Sequence, residues 1–133
     1  MAVRRLLVDT NAYTRLMRGD ERVLELLGAA DVVFLSVVVM GELYAGFKRG
    51  QREYDNRRLL SEFISRATVK VLFVTGQTAE VFGDVKDSLK KKGTPIPIND
   101  VWIAAHAIEN GATLVTFDHH FNRVMGLGLL LLE

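Results

Sequence analysis

Apolar and polar positions fall into blocks along this chain, and the blocks switch between two rhythms. Short apolar runs rich in Val, Leu and Phe read as strands at Arg5–Val8, Val32–Leu35, Val69–Val74, Thr113–Phe117 and Leu129–Leu132. None is long enough to stand as a helix. In the first two the apolar residues are consecutive rather than alternating, which predicts buried strands, the first covered on both faces as in a parallel sheet. Between them lie longer stretches with apolar residues three and four apart, the helical spacing. These predict helices over Asn11–Arg18, from an Asp20 cap to Leu27, and over Val37–Arg49 between a Ser36 cap and Gly50. Gln51–Arg66 is amphipathic through Leu59, Leu60, Phe63 and Ile64, and Thr78–Lys92 through Val81, Phe82, Val85 and Leu89. Lys90–Lys92 and Gly93 form a cationic, glycine-capped end, and Asn99 is expected to cap the last helix, Asp100 to Asn110. The order β-α-α-β-α-α-β-α-α-β-β predicts an α/β fold with a mainly parallel sheet and helices on both faces.

The chain has 133 residues, which suits one domain with a substantial core, and no repeat, linker or low-complexity tract divides it. Lys+Arg number 17 and Asp+Glu 16, so a net charge of +1 gives no global pull toward nucleic acid or an anionic membrane. Contact with RNA or DNA must come from local patches or bound cations. Cysteine is absent, which removes disulfides and thiolate metal sites. Arg4-Arg5 before Leu6–Val8 has the opening of a signal peptide, but Asp9 ends the apolar run too soon, and Val32–Met40 is too short to span a bilayer. The expectation is a cytoplasmic protein with no membrane attachment.

Four carboxylates stand out against this frame. Asp9 ends the first strand and Asp118 follows the fourth, at the strand ends where open α/β sheets collect ligands and chemistry. Each has an ordinary reading too, Asp9 as a helix cap and Asp118 as a turn residue. Glu42 is the only charge in Val37–Phe47, with Val38, Val39, Ala45 and Gly46 as its helical neighbours. A helix apolar all round is expected to be buried, so Glu42 requires a cation, a strong donor set or a raised pKa, or else a buried arginine partner. Asp100 begins a helix, which the helix dipole favours by itself. Together the four can converge on one end of the sheet. Clustered carboxylates repel unless a cation neutralises them, and oxygen-only donors suit hard ions such as Mg²⁺ or Mn²⁺.

The chain resembles the PIN-domain ribonucleases, and among them the toxins of VapBC-type toxin–antitoxin modules. The matching blocks are Leu7–Asn11, Leu35–Gly46, Ile96–Ala105 and Leu114–Asp118, in the family's order and spread nearly end to end. The resemblance implies one PIN-like three-layer α/β/α sandwich over residues 1–133. It implies an acidic metal site at Asp9, Glu42, Asp100 and Asp118, with Asn11 and Thr116 at supporting polar positions. It further implies an endoribonuclease using Mg²⁺ or Mn²⁺, cleavage leaving a 5′-phosphate and a 3′-hydroxyl, a homodimer, and a cognate antitoxin through which operator DNA is bound.

Other residues carry weaker signals. His119-His120 reads as a solvated turn, since adjacent side chains point apart, and His106 as a packed or surface residue. Lys48, Arg49 and Arg52 are candidates to flank the groove after the Glu42 helix, while Lys90–Lys92 and Arg57-Arg58 read as solvated faces. Trp102 and Tyr44 suit either base stacking or helix packing. Two competing functions remain at this stage. A phosphatase with Asp9 as nucleophile would want a second Asp at the position of Asn11, and an inactive PIN-like binding module would be marked by a missing acid.

Overall fold

A computed structural model of the protein describes residues 4–133. Five strands form one sheet: β1 (Arg5–Val8), β2 (Val32–Ser36), β3 (Val69–Leu72), β4 (Thr113–Thr116) and β5 (Gly128–Leu131). Their spatial order is β3-β2-β1-β4-β5, and every neighbouring pair is parallel. The sequence predicted a mainly parallel sheet, and the last strand proves to be a parallel edge as well. The helices are α1 (Thr10–Met17), α2 (Glu21–Gly28), α3 (Val37–Arg49), α4 (Glu53–Ile64), α5 (Gly76–Lys92) and α6 (Ile98–Glu109), with a short 3-10 helix at His119–Arg123. Among the described residues no helix is long and apolar enough to cross a membrane.

The central strand explains the pattern. Leu6, Leu7 and Val8 of β1 are all buried, with Leu7 in register with Phe34 on one side and Leu114 on the other. Helices α1, α3 and α4 bring Ala12, Tyr13, Val39, Leu43, Leu60 and Phe63 to the same core, while α5 and α6 bring Val85, Leu89, Val101 and Ile103. The stripe Leu59, Leu60, Phe63 and Ile64 is therefore largely core. Trp102 stacks on Phe82, 3.9 Å between ring centroids, so it packs α6 against α5. Tyr44 meets Phe47 edge-on and lies under the Arg57 guanidinium.

Helix ends follow local chemistry, with two corrections. Ser36 accepts from Val38 N and caps α3 as expected. Gly93 ends α5 at φ 69°, a left-handed turn that glycine adopts without a side-chain clash. Helix α5 begins two residues earlier than its apolar spacing predicted, because Thr75 and Thr78 form a reciprocal capping box. Asn99 is not the cap of α6. Pro97 fills that position, its carbonyl accepting from Asp100 N and Val101 N, so Asn99 and Asp100 both lie in the first turn. Helix α3 is also less buried than its composition predicted. Val39 and Leu43 face the core, while Gly41, Ala45 and Gly46 are exposed. Apolar composition marks which faces tolerate burial, and among the described residues nothing covers that one.

Candidate active site

The sheet order puts β1 beside β4, although the chain visits β2 and β3 between them. This is the switch point, where connections leave the sheet in opposite directions and a crevice opens at the strands' carboxyl ends. Asp9 leaves β1 there and Asp118 follows β4. Helices α3 and α6 close the crevice with Glu42 and Asp100. The result is a cleft of about 390 Å³ lined by Asp9, Thr10, Asn11, Glu42, Asn99, Asp100, Asp118 and His120, with Pro97, Ile98, Ile103 and Phe121 as its apolar wall.

Asp9 fills both of its expected positions. Its Oδ1 accepts from Ala12 N at 2.8 Å and caps α1, while its Oδ2 accepts from the Thr116 hydroxyl. Thr116 Oγ1 in turn accepts from Asp118 N at 3.0 Å, so one buried hydroxyl ties the two strand ends together. Only 5% of Asp9 is exposed, and burial pushes its pKa above 3.8, with Asp100 and Asp118 repelling in the same direction. Asp100 is also pushed up, mainly by burial and further by Glu42 and Asp118, with the His120 contact opposing. Glu42 is half-buried and meets donors rather than an arginine: the Thr10 hydroxyl on Oε1 and the Asn99 amide on Oε2 at 3.4 Å. Asn99 is free for this contact because Pro97 holds the cap. Asn11 is an exposed part of the cleft rim.

His120 is the residue that the sequence reading passed over. It does point away from His119, which is exposed, but it points into the cleft. Its Nε2 lies 2.7 Å from Asp100 Oδ2 and its Nδ1 2.9 Å from Asp118 Oδ1. The available signal was Asp118 three residues before Phe121, which is buried. A capped helical turn anchored by Phe121 directs one of the two histidines inward. His106 is a core residue, bonded to Ser36 Oγ at 2.8 Å and to the Phe73 carbonyl at 3.1 Å.

The donor set fits a cation. Single ligand atoms from Asp100, Asp118 and His120 lie within 4.8 Å of one another, and Asp9 and Glu42 line the same cleft. Burial, and then repulsion among the cleft's carboxylates, makes Asp9 and Asp100 harder to ionise, and a bound divalent ion would offset both.

The fold and the acidic cleft at the switch point are those of a PIN domain, and the PIN-domain family model matches residues 6–127. Within that family the chain belongs with the VapC ribonucleases. It is 33% identical to "Ribonuclease VapC1" of Haemophilus influenzae over 127 residues, covering 91% of this chain and 92% of that one. It is 32% identical to "Ribonuclease VapC2" of Rickettsia felis over 105 residues, covering 78% and 77%. The crystal structure of Rickettsia felis VapBC2 bound to a promoter DNA fragment superposes with a TM-score of 0.86 at 27% identity, over 97% of this chain and 99% of that one.

Proposed function

We propose that this chain, one PIN domain, is a metal-dependent endoribonuclease and the toxin of a VapBC-type pair, with Mg²⁺ or Mn²⁺ as its ion. The observation that carries the reading is the meeting of Asp9, Glu42, Asp100 and Asp118 from separate elements in one cleft, in a chain of the VapC family. Asp9 and Asp100 are the principal ligands in this reading. Thr116 keeps Asp9 aimed into the cleft, and Thr10 and Asn99 hold Glu42 where it orients the attacking water. When bound, the ion supplies electrostatic stabilisation of the phosphodiester and a more acidic water at neutral pH. Water adds to phosphorus and the P–O3′ bond breaks, leaving a 5′-phosphate and a 3′-hydroxyl. Lys48, Arg49 and Arg52, exposed at the end of α3 and just beyond, are the cations this reading assigns to RNA phosphates.

The partners belong to the same proposal. Relatives of this chain crystallise as VapBC complexes, one of them on promoter DNA, which supports a cognate antitoxin and operator binding through it. The uncovered face of α3 at Gly41, Ala45 and Gly46 supports a second copy of the chain as a further partner. A cytoplasmic location fits an RNA substrate in this reading. The test is cleavage of a panel of short fluorogenic RNAs with Mg²⁺, Mn²⁺ or EDTA, run beside Asp100→Asn. Metal-dependent cutting lost in the variant is expected. Equal cutting by the variant overturns the assignment of Asp100. No cutting by either protein, with metal binding intact, favours a binding module.

A further inference from the structure

His120 is held in the cleft by a built arrangement. Asp118 Oδ1 accepts from His120 N at 3.1 Å, and the ring Nδ1 lies 2.9 Å from the same oxygen. The next residue, Phe121, is 1% exposed and anchors the turn, and the His120 ring packs 5.1 Å from it. These contacts set the Nδ1 edge of the ring against Asp118, and Nε2 faces Asp100 Oδ2 at 2.7 Å. A histidine that ligates a metal ordinarily donates its second ring N–H to a carboxylate, which sets its tautomer and its aim. Asp118 already stands in that orienting position. The ligand atoms of Asp100, Asp118 and His120 lie close enough together to share one ion.

We propose that His120 Nε2 is a nitrogen ligand to the divalent ion of this cleft, beside Asp100 and oriented by Asp118, and that it makes the site prefer Mn²⁺ to Mg²⁺. The inference rests on the metal-dependent reading above and goes beyond it, because an all-carboxylate site does not need this residue. The preference follows from ligand chemistry. Mg²⁺ demands hard oxygen donors and keeps its waters, whereas imidazole favours the first-row transition ions. Asp118 then contributes largely through the histidine, as a positioning residue.

Electron paramagnetic resonance of Mn²⁺ bound to the whole protein tests this without reference to activity. The expected result is ¹⁴N spin-echo modulation from the bound ion in the wild type and in His119→Asn, absent in His120→Asn. The Mn²⁺ dissociation constant should rise about tenfold or more in His120→Asn. The Mg²⁺ constant, measured by competition, should rise less, so the Mn²⁺/Mg²⁺ ratio falls. Asp100→Asn should lose the ion in either case. A wild-type spectrum without nitrogen modulation, or an unchanged ratio in His120→Asn, overturns the His120 assignment and leaves the carboxylate site standing if Asp100→Asn still loses Mn²⁺. Equal Mn²⁺ binding by all these proteins overturns the carboxylate reading as well. The wild-type spectrum decides the proposal even where a variant folds poorly.

Discussion

Two histidines sit in polar networks of opposite character. His106 is fully buried behind the sheet's end, where its Nε2 donates to the Phe73 carbonyl and its Nδ1 meets the Ser36 hydroxyl. Ser36 also caps α3, so this network joins β2, α3, α6 and the chain leaving β3. Each of its polar groups has a partner and none needs a charge. The cleft around His120 is the reverse: four carboxylates share it with one imidazole, and burial makes two of them harder to ionise. A network closed on itself stabilises the fold, whereas one oversupplied with acceptors costs stability and keeps a standing demand for a cation.

The largest test of this contrast is Asp100→Asn. Cleavage should fall at least about a hundredfold, the usual weight of one electrostatic group in a water-poor site. The same variant in EDTA at pH 7 should unfold at a higher temperature than the wild type, measured by calorimetry. A lower melting temperature would show that Asp100 is structural. Next comes His106→Ala, which removes a buried, bonded ring. It should cost about 2–4 kcal/mol in urea unfolding while leaving the metal affinity of the folded protein within a few-fold. A large loss of metal affinity would merge the two networks into one.

Thr116→Val removes the hydroxyl between Asp9 and Asp118 and keeps the shape of β4. Cleavage should drop about tenfold to a hundredfold, the usual effect of losing an outer-shell partner. An unchanged rate would mean that the Ala12 contact alone orients Asp9.

The pH dependence separates the networks by sign. Burial holds the folded pKa of His106 below 6.5, so its contribution is complete above 6.5 and is lost as pH falls from there toward the folded value. The stability gap between wild type and His106→Ala should therefore shrink below pH 6.5. Asp9 and Asp100 have folded values raised above 3.8, so their cost is full above those values and vanishes below 3.8. The advantage of Asp100→Asn in EDTA should shrink across that lower window. Both gaps are read from urea unfolding at stepped pH, and a gap moving the other way breaks the assignment. Smallest is Arg58→Ala on the exposed face of α4, whose i,i+4 pair with Glu62 should matter by less than about 0.5 kcal/mol.

Much of this molecule is legible in one dimension. The strand cores, the Ser36 cap, the Gly93 stop and the strand-end positions of Asp9 and Asp118 follow from local spacing and capping chemistry. These depend on residues within a turn or two of one another, so local chain chemistry specifies them. The sequence also marked Glu42 as a carboxylate in need of partners. Only the tertiary structure supplied those partners, Thr10 and Asn99, from distant elements. The same holds for the sheet order that brings Thr116 to Asp9 across 107 residues of chain, for the uncovered face of α3, and for the inward turn of His120. The physical reason is common to all of them. Periodicity specifies which face of an element is apolar, but what lies opposite that face is decided when elements far apart in the chain compete to cover it.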